Sequence, residues 1–225
     1  MKAIGLLVIV AAAASAQQFE LSLWFVRGDR VDLVAGPPLP APIVVGGPYS
    51  ADQLEDDVPP DGSSAPTSRV VGHFARDTQG RTREEQTYKP APFWLTHIFD
   101  PIAGVAYLLD DHKHIAYRMA LPPAPADAAR APADSPASVE ALGTQPMQGV
   151  LADGTRKTYP PLTIDTWESP ELKITLLEKS SNGYSTRLIN LNRAEPDSRL
   201  FEPPPDYAIV DQRNLFPLTI PIPAR

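Results

Sequence analysis

The 225-residue sequence predicts a mainly β fold, a curved antiparallel meander sheet that is half-barrel or sandwich-like and has few short helices. Turn signals built on Asp, Asn and Gly recur along the chain and separate short segments of strand length. Several of those segments alternate apolar and polar side chains, as strands with one buried face do. No strand–helix–strand spacing occurs, so parallel strands are not expected.

The first sixteen residues have the pattern of a secretory signal peptide. Lys2 supplies the positive n-region, Ile4 to Ala14 form an apolar run, and Ala14-Ser15-Ala16 is a small-residue cleavage site before Gln17. The run is too short for a permanent membrane helix, which needs about 20 residues. We therefore expect an exported protein, periplasmic or secreted, that is not an integral membrane protein.

Composition narrows the functional classes. The sequence has no cysteine, so disulfides, thiolate metal sites, a lipid-modified cysteine and a cysteine nucleophile are excluded. The formal net charge of −7 becomes −8 when Lys2 leaves with the signal, so nucleic acid is not an expected partner. Proline accounts for 27 of the 225 residues, over twice the usual share, and its clusters mark segment boundaries.

These boundaries divide the chain into a signal peptide (1–16), a Pro/Gly-rich lead-in (17–66), an antiparallel β domain (67–211) and a Pro-rich apolar tail (212–225). In the lead-in, Ser50 and Gln53 form a capping box that predicts about two helical turns over Ser50 to Asp56. A Pro/Ala-rich linker at 122–136 has little to bury and separates two runs of strands.

The first run of strands contains three predicted turns. Each begins with Asp, and two end with Gly, which is typical of four- and five-residue hairpin loops. The turns lie at 77–80, 100–104 and 110–113, between strands over 69–76, 81–88, 94–99, 105–109 and 114–121.

The second run repeats this pattern. Met147 to Leu151 is expected to turn at Asp153-Gly154 into Thr155 to Tyr159. Turns at 168–171 and 180–183 then separate strands over 162–167, 172–179 and 184–192, and Asn182-Gly183 is a strong hairpin signal. One helical turn over Glu195 to Phe201 and a last strand over Asp206 to Val210 complete the domain.

The tail beyond residue 213 combines five large apolar side chains with three prolines. Proline forbids a helix and a central strand, but so many apolar residues are unfavourable in a solvated end. We expect the tail to pack on its own domain, and docking on a partner is the alternative.

Five motifs in this order carry a resemblance to a known family. They are FARDTQGRTREEQ, FDPIAGVAYLLD, LGTQPMQGVLADGTR, WESPELKI and NLNRAEPDSRLFEPPPDY, and the resemblance covers about residues 68 to 211. The set resembles a family of uncharacterised exported bacterial proteins, which implies no activity. More remotely, the closing RLFEPPPDYAIVD is similar to the LolA-type lipoprotein-sorting superfamily. That resemblance implies a curved half-barrel whose concave apolar face binds acyl chains.

Two clusters of titratable residues are candidates for chemistry. In Asp110-Asp111-His112-Lys113-His114, the two histidines would share a face if the segment were a strand, as a metal pair requires. Its position at a predicted turn favours a structural role. His73 and His97 on strands are likewise interpreted as structural residues.

The second cluster surrounds the first turn and mixes both signs of charge, which favours cross-strand pairing over an anion site. It consists of Arg76, Asp77, Arg81, Arg83, Glu84 and Glu85. Local catalytic motifs are absent, so we predict no catalytic residues, metal or cofactor.

A strand that is apolar on both faces needs cover on both sides, and Val105 to Leu109 is such a strand. The aromatic and aliphatic residues of the central strands form either a filled core or an apolar-ligand face. The candidate face consists of Trp94, Val105, Tyr107, Leu109, Tyr117, Trp167, Leu176 and Leu188. The sequence therefore predicts a non-catalytic binding or interaction module, whose partner is lipid or another envelope protein. A LolA-like lipid carrier or sensor is the alternative, and a hydrolase is a further one.

Overall fold

A computed structural model describes residues 7–8, 23–27, 30–35, 43–58, 65–87, 94–121, 136–213 and 216–221. These residues form sixteen strands and one short 3₁₀ helix, Ser198–Phe201. The strands are β1 (Leu7–Val8), β2 (Leu23–Arg27), β3 (Arg30–Ala35), β4 (Tyr49–Asp57), β5 (Thr67–Arg76), β6 (Thr82–Thr87), β7 (Trp94–Asp100), β8 (Val105–Asp110), β9 (Ile115–Ala120), β10 (Ser138–Met147), β11 (Val150–Tyr159), β12 (Leu162–Ser169), β13 (Ile174–Ser180), β14 (Tyr184–Asn192), β15 (Ala208–Asp211) and β16 (Phe216–Pro221).

The mainly β fold is confirmed. Twelve strands form one open sheet in the order β10-β11-β12-β13-β14-β4-β5-β6-β7-β8-β9-β15. Four strands form a second sheet in the order β1-β2-β3-β16. Within the described residues no helix is long and apolar enough to span a membrane.

The hairpins of the first run lie where their turn residues predict them. Asp77 is buried, and its carboxylate accepts hydrogen bonds from the backbone N–H groups of Gln79 and Arg81 at 3.0 and 2.8 Å. Asp100 and Asp110 accept backbone N–H groups in the same way in the next two turns. Each aspartate therefore caps its own turn.

One hairpin of the second run differs from its prediction. The turn between β10 and β11 lies at Gln148 and Gly149, whose φ angles are 49° and 81°. Asp153 and Gly154 continue β11, with Gly154 opposite Trp167 of β12. A Cβ at Gly154 would lie 2.7 Å from the Trp167 ring, so this glycine permits close packing and does not mark a turn.

The helix predicted over Ser50 to Asp56 is wrong, because this segment is β4 and lies between β14 and β5 near the middle of the sheet. Burial alternates along it, with Tyr49, Ala51, Gln53 and Glu55 buried. This period of two is that of a strand, and packing overrides the local capping signal. The large sheet therefore begins before residue 67.

The wholly antiparallel prediction is wrong for one pair of strands. β15 pairs with β9 in parallel, with Ala208 opposite Ile115. The connection from β14 to β15, residues 193–207, is here called the crossover. It passes six strands of the sheet order and contains the 3₁₀ helix, which lies inside the predicted helical turn. It ends at the edge of the sheet, where β15 runs in the same direction as β9.

The predicted tail contains β16, which pairs antiparallel with β3 from Phe216 opposite Ala35 to Pro221 opposite Arg30. It is an edge strand of the four-stranded sheet, the position in which proline is tolerated. The predicted linker lies outside the described residues except for its last residue, Pro136.

Two clusters of buried side chains pack within the large sheet. One joins β4, β5, β11, β13 and β14 and comprises Tyr49, Ala51, Phe74, Val150, Ala152, Leu172, Ile174, Leu176 and Leu188. The other packs beneath the crossover and comprises Ala75, Ile98, Leu109, Ala116 and Phe201. Phe201 of the crossover is thus a buried member of the second cluster, and Tyr207 of the crossover packs against it.

Candidate functional site

The eight residues of the predicted apolar face lie in different places. Leu176 and Leu188 belong to the first buried cluster, and Trp167 packs against it. Leu109 belongs to the second cluster, and Tyr107 packs against that one. The other three also lie apart: Tyr117 is buried opposite Leu108, Val105 pairs with Ala120, and Trp94 is 39% exposed.

The Asp110 to His114 segment forms a turn pinned by the crossover. His114 has a φ of 51°, so the two histidines do not share a strand face. Its Nδ1 lies 2.7 Å from Oδ2 of Asp206, and the Tyr207 hydroxyl donates to Asp111 at 2.7 Å. In the described part of the chain, no group of three or more His, Asp or Glu side chains is placed to hold a metal ion.

The arginines around the first turn hold the structure together. Buried Arg76 donates to the carbonyls of Gly47 and Leu172, both at 2.7 Å, and lies over the Tyr49 ring. Arg81 pairs with Asp77 at 2.6 Å. Arg83 pairs with Glu85, and both residues line a cleft.

The cleft lined by Arg83 and Glu85 has a volume of about 330 Å³ and lies between the crossover and the central strands. Its lining combines charged, amide and hydroxyl side chains with apolar residues. The lining residues are Ser50, Ala51, Asp52, His73, Phe74, Ala75, Arg83, Glu85, Asn190, Asn192 and Leu200.

Strand register explains why these polar side chains meet. Asp52 of β4 lies opposite His73 of β5, and His73 lies opposite Glu85 of β6. Residues directly opposite one another point to the same face of a sheet. Arg83 lies opposite Ala75, and Ala75 packs against Phe201, so this is the face that the crossover covers.

Asp52 is the centre of the hydrogen-bond network. Its Oδ1 lies 2.6 Å from Nδ1 of His73, and its Oδ2 accepts a hydrogen bond from Nδ2 of Asn190 at 2.7 Å. Partial burial raises the pKa of the Asp52 carboxyl, but the bonds from Asn190 and His73 outweigh burial and lower it below its ordinary value. The carboxylate is therefore ionised at neutral pH.

A β-bulge in β14 delivers the amide of Asn190. Ile189 lies opposite Asp52 and Asn192 opposite Ser50, so two residues of β14 face Ala51. Asn190 has a φ of 56°, a left-handed conformation that asparagine adopts more readily than most residues. Bulges commonly redirect a side chain beside a functional site.

The crossover forms the opposite wall of the cleft. Nε of Arg83 donates to Glu85 at 2.6 Å, and its Nη1 donates to the carbonyl of Leu200 at 3.3 Å. At the start of the crossover, Glu195 accepts the backbone N–H of Thr78 at 3.1 Å. These bonds and buried Phe201 hold the wall in place.

No family model matches this sequence, and no curated protein matches it. Two solved structures of PNGF-II, in different space groups, are similar to it over 74% of this chain. Their identities are 10% and 9%, and their TM-scores are 0.42 and 0.36. The chain spans about a third of their length, 32% and 31%. These values are too low to carry a functional argument, and the LolA-type resemblance stays a prediction.

Trp94, the exposed member of the predicted face, lies beside the cleft. Its ring stacks on His73 with centroids 5.0 Å apart and an interplanar angle of 21°. Trp94 lies opposite Thr87, two residues from Glu85, so it stands on the same face of the sheet as the cleft.

Sequence reasoning missed Asp52 and Asn190 as site residues. Asp52 was not predicted because its segment was expected to be a helix. As a strand, Tyr49 to Asp57 places Asp52 on the face away from the buried Tyr49 and Ala51. Asn190 had no local signal, since its role depends on a bulge that only pairing with β4 defines.

Proposed function

We propose that this chain is a non-catalytic ligand-binding module of an exported protein, and that the cleft at Asp52 binds a small polar ligand. The observation that carries the proposal is the convergence of Asp52, His73 and Asn190 in one hydrogen-bonded group that lines a partly open cleft. Preorganised polar groups in a concave site are the usual basis of small-molecule recognition.

The hydrogen bonds within the cleft support binding in preference to catalysis. Asp52 and Asn190 orient one another and His73, while Arg83 is engaged by Glu85 and by the Leu200 carbonyl. The groups retain further lone pairs and N–H groups for a ligand, since a carboxylate accepts about four hydrogen bonds and a guanidinium donates five.

The test is a binding screen with a cleft-filling variant. Asn192 is exposed at the cleft, so Asn192→Trp should fill the space without disturbing the core. Sugars, amino acids, dicarboxylates and inorganic phosphate would be screened by ligand-observed NMR. Gln145→Trp, on the exposed strand β10, is the matched control.

We expect at least one probe class to bind the native chain and the control and to lose binding in Asn192→Trp. Binding that survives in Asn192→Trp would overturn the assignment of the cleft. Native mass spectrometry with lipid extraction examines the alternative, and an acyl lipid that co-purifies with both variants would favour the apolar carrier.

Export is tested separately by sequencing the N-terminus of the mature protein. Cleavage after Ala16 gives Gln17 as the first residue. A mature chain that begins at Met1 or Lys2 would contradict export by this signal.

A further inference from the structure

We propose that the ligand of the cleft is a carbohydrate, bound by its ring hydroxyls to Asp52, Asn190 and Arg83, with Trp94 as a platform at the cleft edge. This inference rests on the proposed function and names the chemical class of its ligand. Charge, hydrogen-bonding capacity and the position of one exposed aromatic ring carry it.

Two of the three charged side chains that line the cleft, Arg83 and Glu85, are paired with each other. Nε of Arg83 lies 2.6 Å from Glu85, so neither group offers a free unit charge to a ligand. Asp52 keeps its negative charge, and hydrogen bonding to the Asn190 amide and the His73 ring stabilises it. An anion such as phosphate would meet the carboxylates of both Asp52 and Glu85. The site therefore disfavours an anionic ligand and suits one that donates hydrogen bonds to the Asp52 carboxylate.

The remaining hydrogen-bonding groups are both donors and acceptors on planar side chains. Asp52 offers lone pairs, Asn190 offers an amide oxygen and a second N–H, and Arg83 offers N–H groups beyond those already used. A hydroxyl group donates one hydrogen bond and accepts two, so neighbouring hydroxyls of a sugar ring match such a mixed set. Lipid tails would leave these groups unpaired at a cost.

The aromatic ring adds a complementary apolar contact. Trp94 is 39% exposed. Its indole ring is oriented by stacking on the ring of His73, a residue that lines the cleft. A sugar ring has apolar C–H faces as well as hydroxyls, and a rigid amphipathic ring such as indole provides contact area at low entropic cost. The cleft volume of about 330 Å³ is near the lower end for ligand sites and suits one or two rings.

The experiment measures affinity by calorimetry with named probes. Glucose, mannose, N-acetylglucosamine and their short oligosaccharides are compared with glutamate and inorganic phosphate. Three variants alter the site: Asp52→Asn, Asn190→Gly, which keeps the left-handed backbone, and Trp94→Leu, which keeps apolar area without the aromatic face. Asp165→Asn, in the Arg156 pair on β12, is the matched control outside the cleft.

The expected result is that at least one saccharide binds and that each site variant weakens it about tenfold, whereas Asp165→Asn changes it less than about twofold. Trp94→Phe should restore most of the affinity lost in Trp94→Leu. Melting curves establish that each variant is folded, and a variant that fails to fold is replaced by Arg83→Gln.

Three results would overturn the inference. Binding of glutamate or phosphate that depends on Asp52, with no saccharide bound, would remove the carbohydrate assignment and leave the proposed function standing. Saccharide binding unchanged in all site variants would remove both. No binding by any probe class, together with no co-purifying ligand, would also remove both.

Discussion

At the scale of single residues, the large sheet buries polar groups that determine how the protein responds to pH. His97 of β7 is buried, and burial lowers its pKa to about 3. In the unfolded chain a histidine has a pKa near 6.5, so between pH 6.5 and 3 the unfolded state binds more protons than the folded state. The contribution of His97 to stability is therefore complete above pH 6.5 and decreases as the pH falls below it.

We predict that the free energy of unfolding decreases between pH 6.5 and 5 by up to about 1.4 kcal/mol per pH unit. His97→Gln should flatten this dependence, and His112→Gln, at an exposed turn position, should not. Urea titrations at pH 7, 6 and 5 measure the slopes. An unchanged slope in His97→Gln would contradict this assignment.

Arg76 is the residue whose loss should be felt most widely, because it joins the segment before β4, the end of β5 and the β12–β13 turn. Arg76→Met would leave the carbonyls of Gly47 and Leu172 without their donor. We expect a loss of about 2 to 4 kcal/mol.

Arg76→Lys should recover only part of this stability, because one ammonium group cannot reproduce the planar fork. Chemical denaturation of both variants and of the control Arg156→Met, which breaks a part-buried pair with Asp165, makes the comparison. Equal losses at Arg76 and Arg156 would show that the buried guanidinium has no special role.

At the scale of elements, the crossover is both the cover of the second buried cluster and a wall of the cleft. Phe201→Ala should cost about 3 to 5 kcal/mol, the usual range for a buried phenylalanine. Leu200→Ala, one residue earlier and exposed, should cost less than about 1 kcal/mol. Both substitutions should weaken ligand binding in the cleft, but only Phe201→Ala should strongly destabilise the protein. The pair of variants therefore distinguishes an effect on stability from an effect on ligand contact.

Thermal unfolding and probe titration of the same two variants measure both effects. If Phe201→Ala were as stable as Leu200→Ala, the crossover would not depend on this contact. If binding were unchanged in both variants, the crossover would not form the wall.

The elements also show what the sequence predicts and what it does not. The turns after Asp77 and Asp100 are local, since each aspartate bonds to N–H groups within four residues, and both were predicted. The strand β4 was not, because the capping residues Ser50 and Gln53 outweighed an alternation that pairing with β5 and β14 makes decisive. Gly154 was interpreted as a turn because its neighbour across the sheet, Trp167, is not visible in the local sequence.

The candidate site was harder to predict than the fold for the same reason. Its walls come from β4, β5, β6, β14 and the crossover, so the contact of Asp52 with Asn190 joins residues 138 positions apart. The parallel pairing of β15 is equally non-local, since it depends on where the crossover ends. Of the eight predicted face residues, Trp94 is the one that stacks on a residue lining the cleft.

At the scale of the whole molecule, the C-terminal segment completes the four-stranded sheet. β16 pairs with β3 over six positions, from Phe216 to Pro221. Deleting residues 214–225 should lower stability or increase binding of an apolar dye, since the edge of β3 loses its partner. Deleting only residues 222–225 leaves β16 in place and is the control.

Denaturation curves and dye fluorescence compare the two truncations. Equal stability and unchanged dye binding in both would contradict the pairing. Loss of a co-purifying envelope protein in the longer truncation alone would instead favour docking of the tail on a partner.

In the described residues, the crossover covers part of one face of the open sheet. The cleft at Asp52 lies between the crossover and the central strands. The most direct test of this account is the footprint of a bound probe on the isotope-labelled protein, measured as amide and indole chemical-shift changes. We predict changes confined to the cleft around Asp52, His73 and Asn190, to the Trp94 indole, and to the crossover near Leu200. Changes centred on the buried cluster of Leu176 and Leu188, or spread along the exposed strand β10, would contradict it.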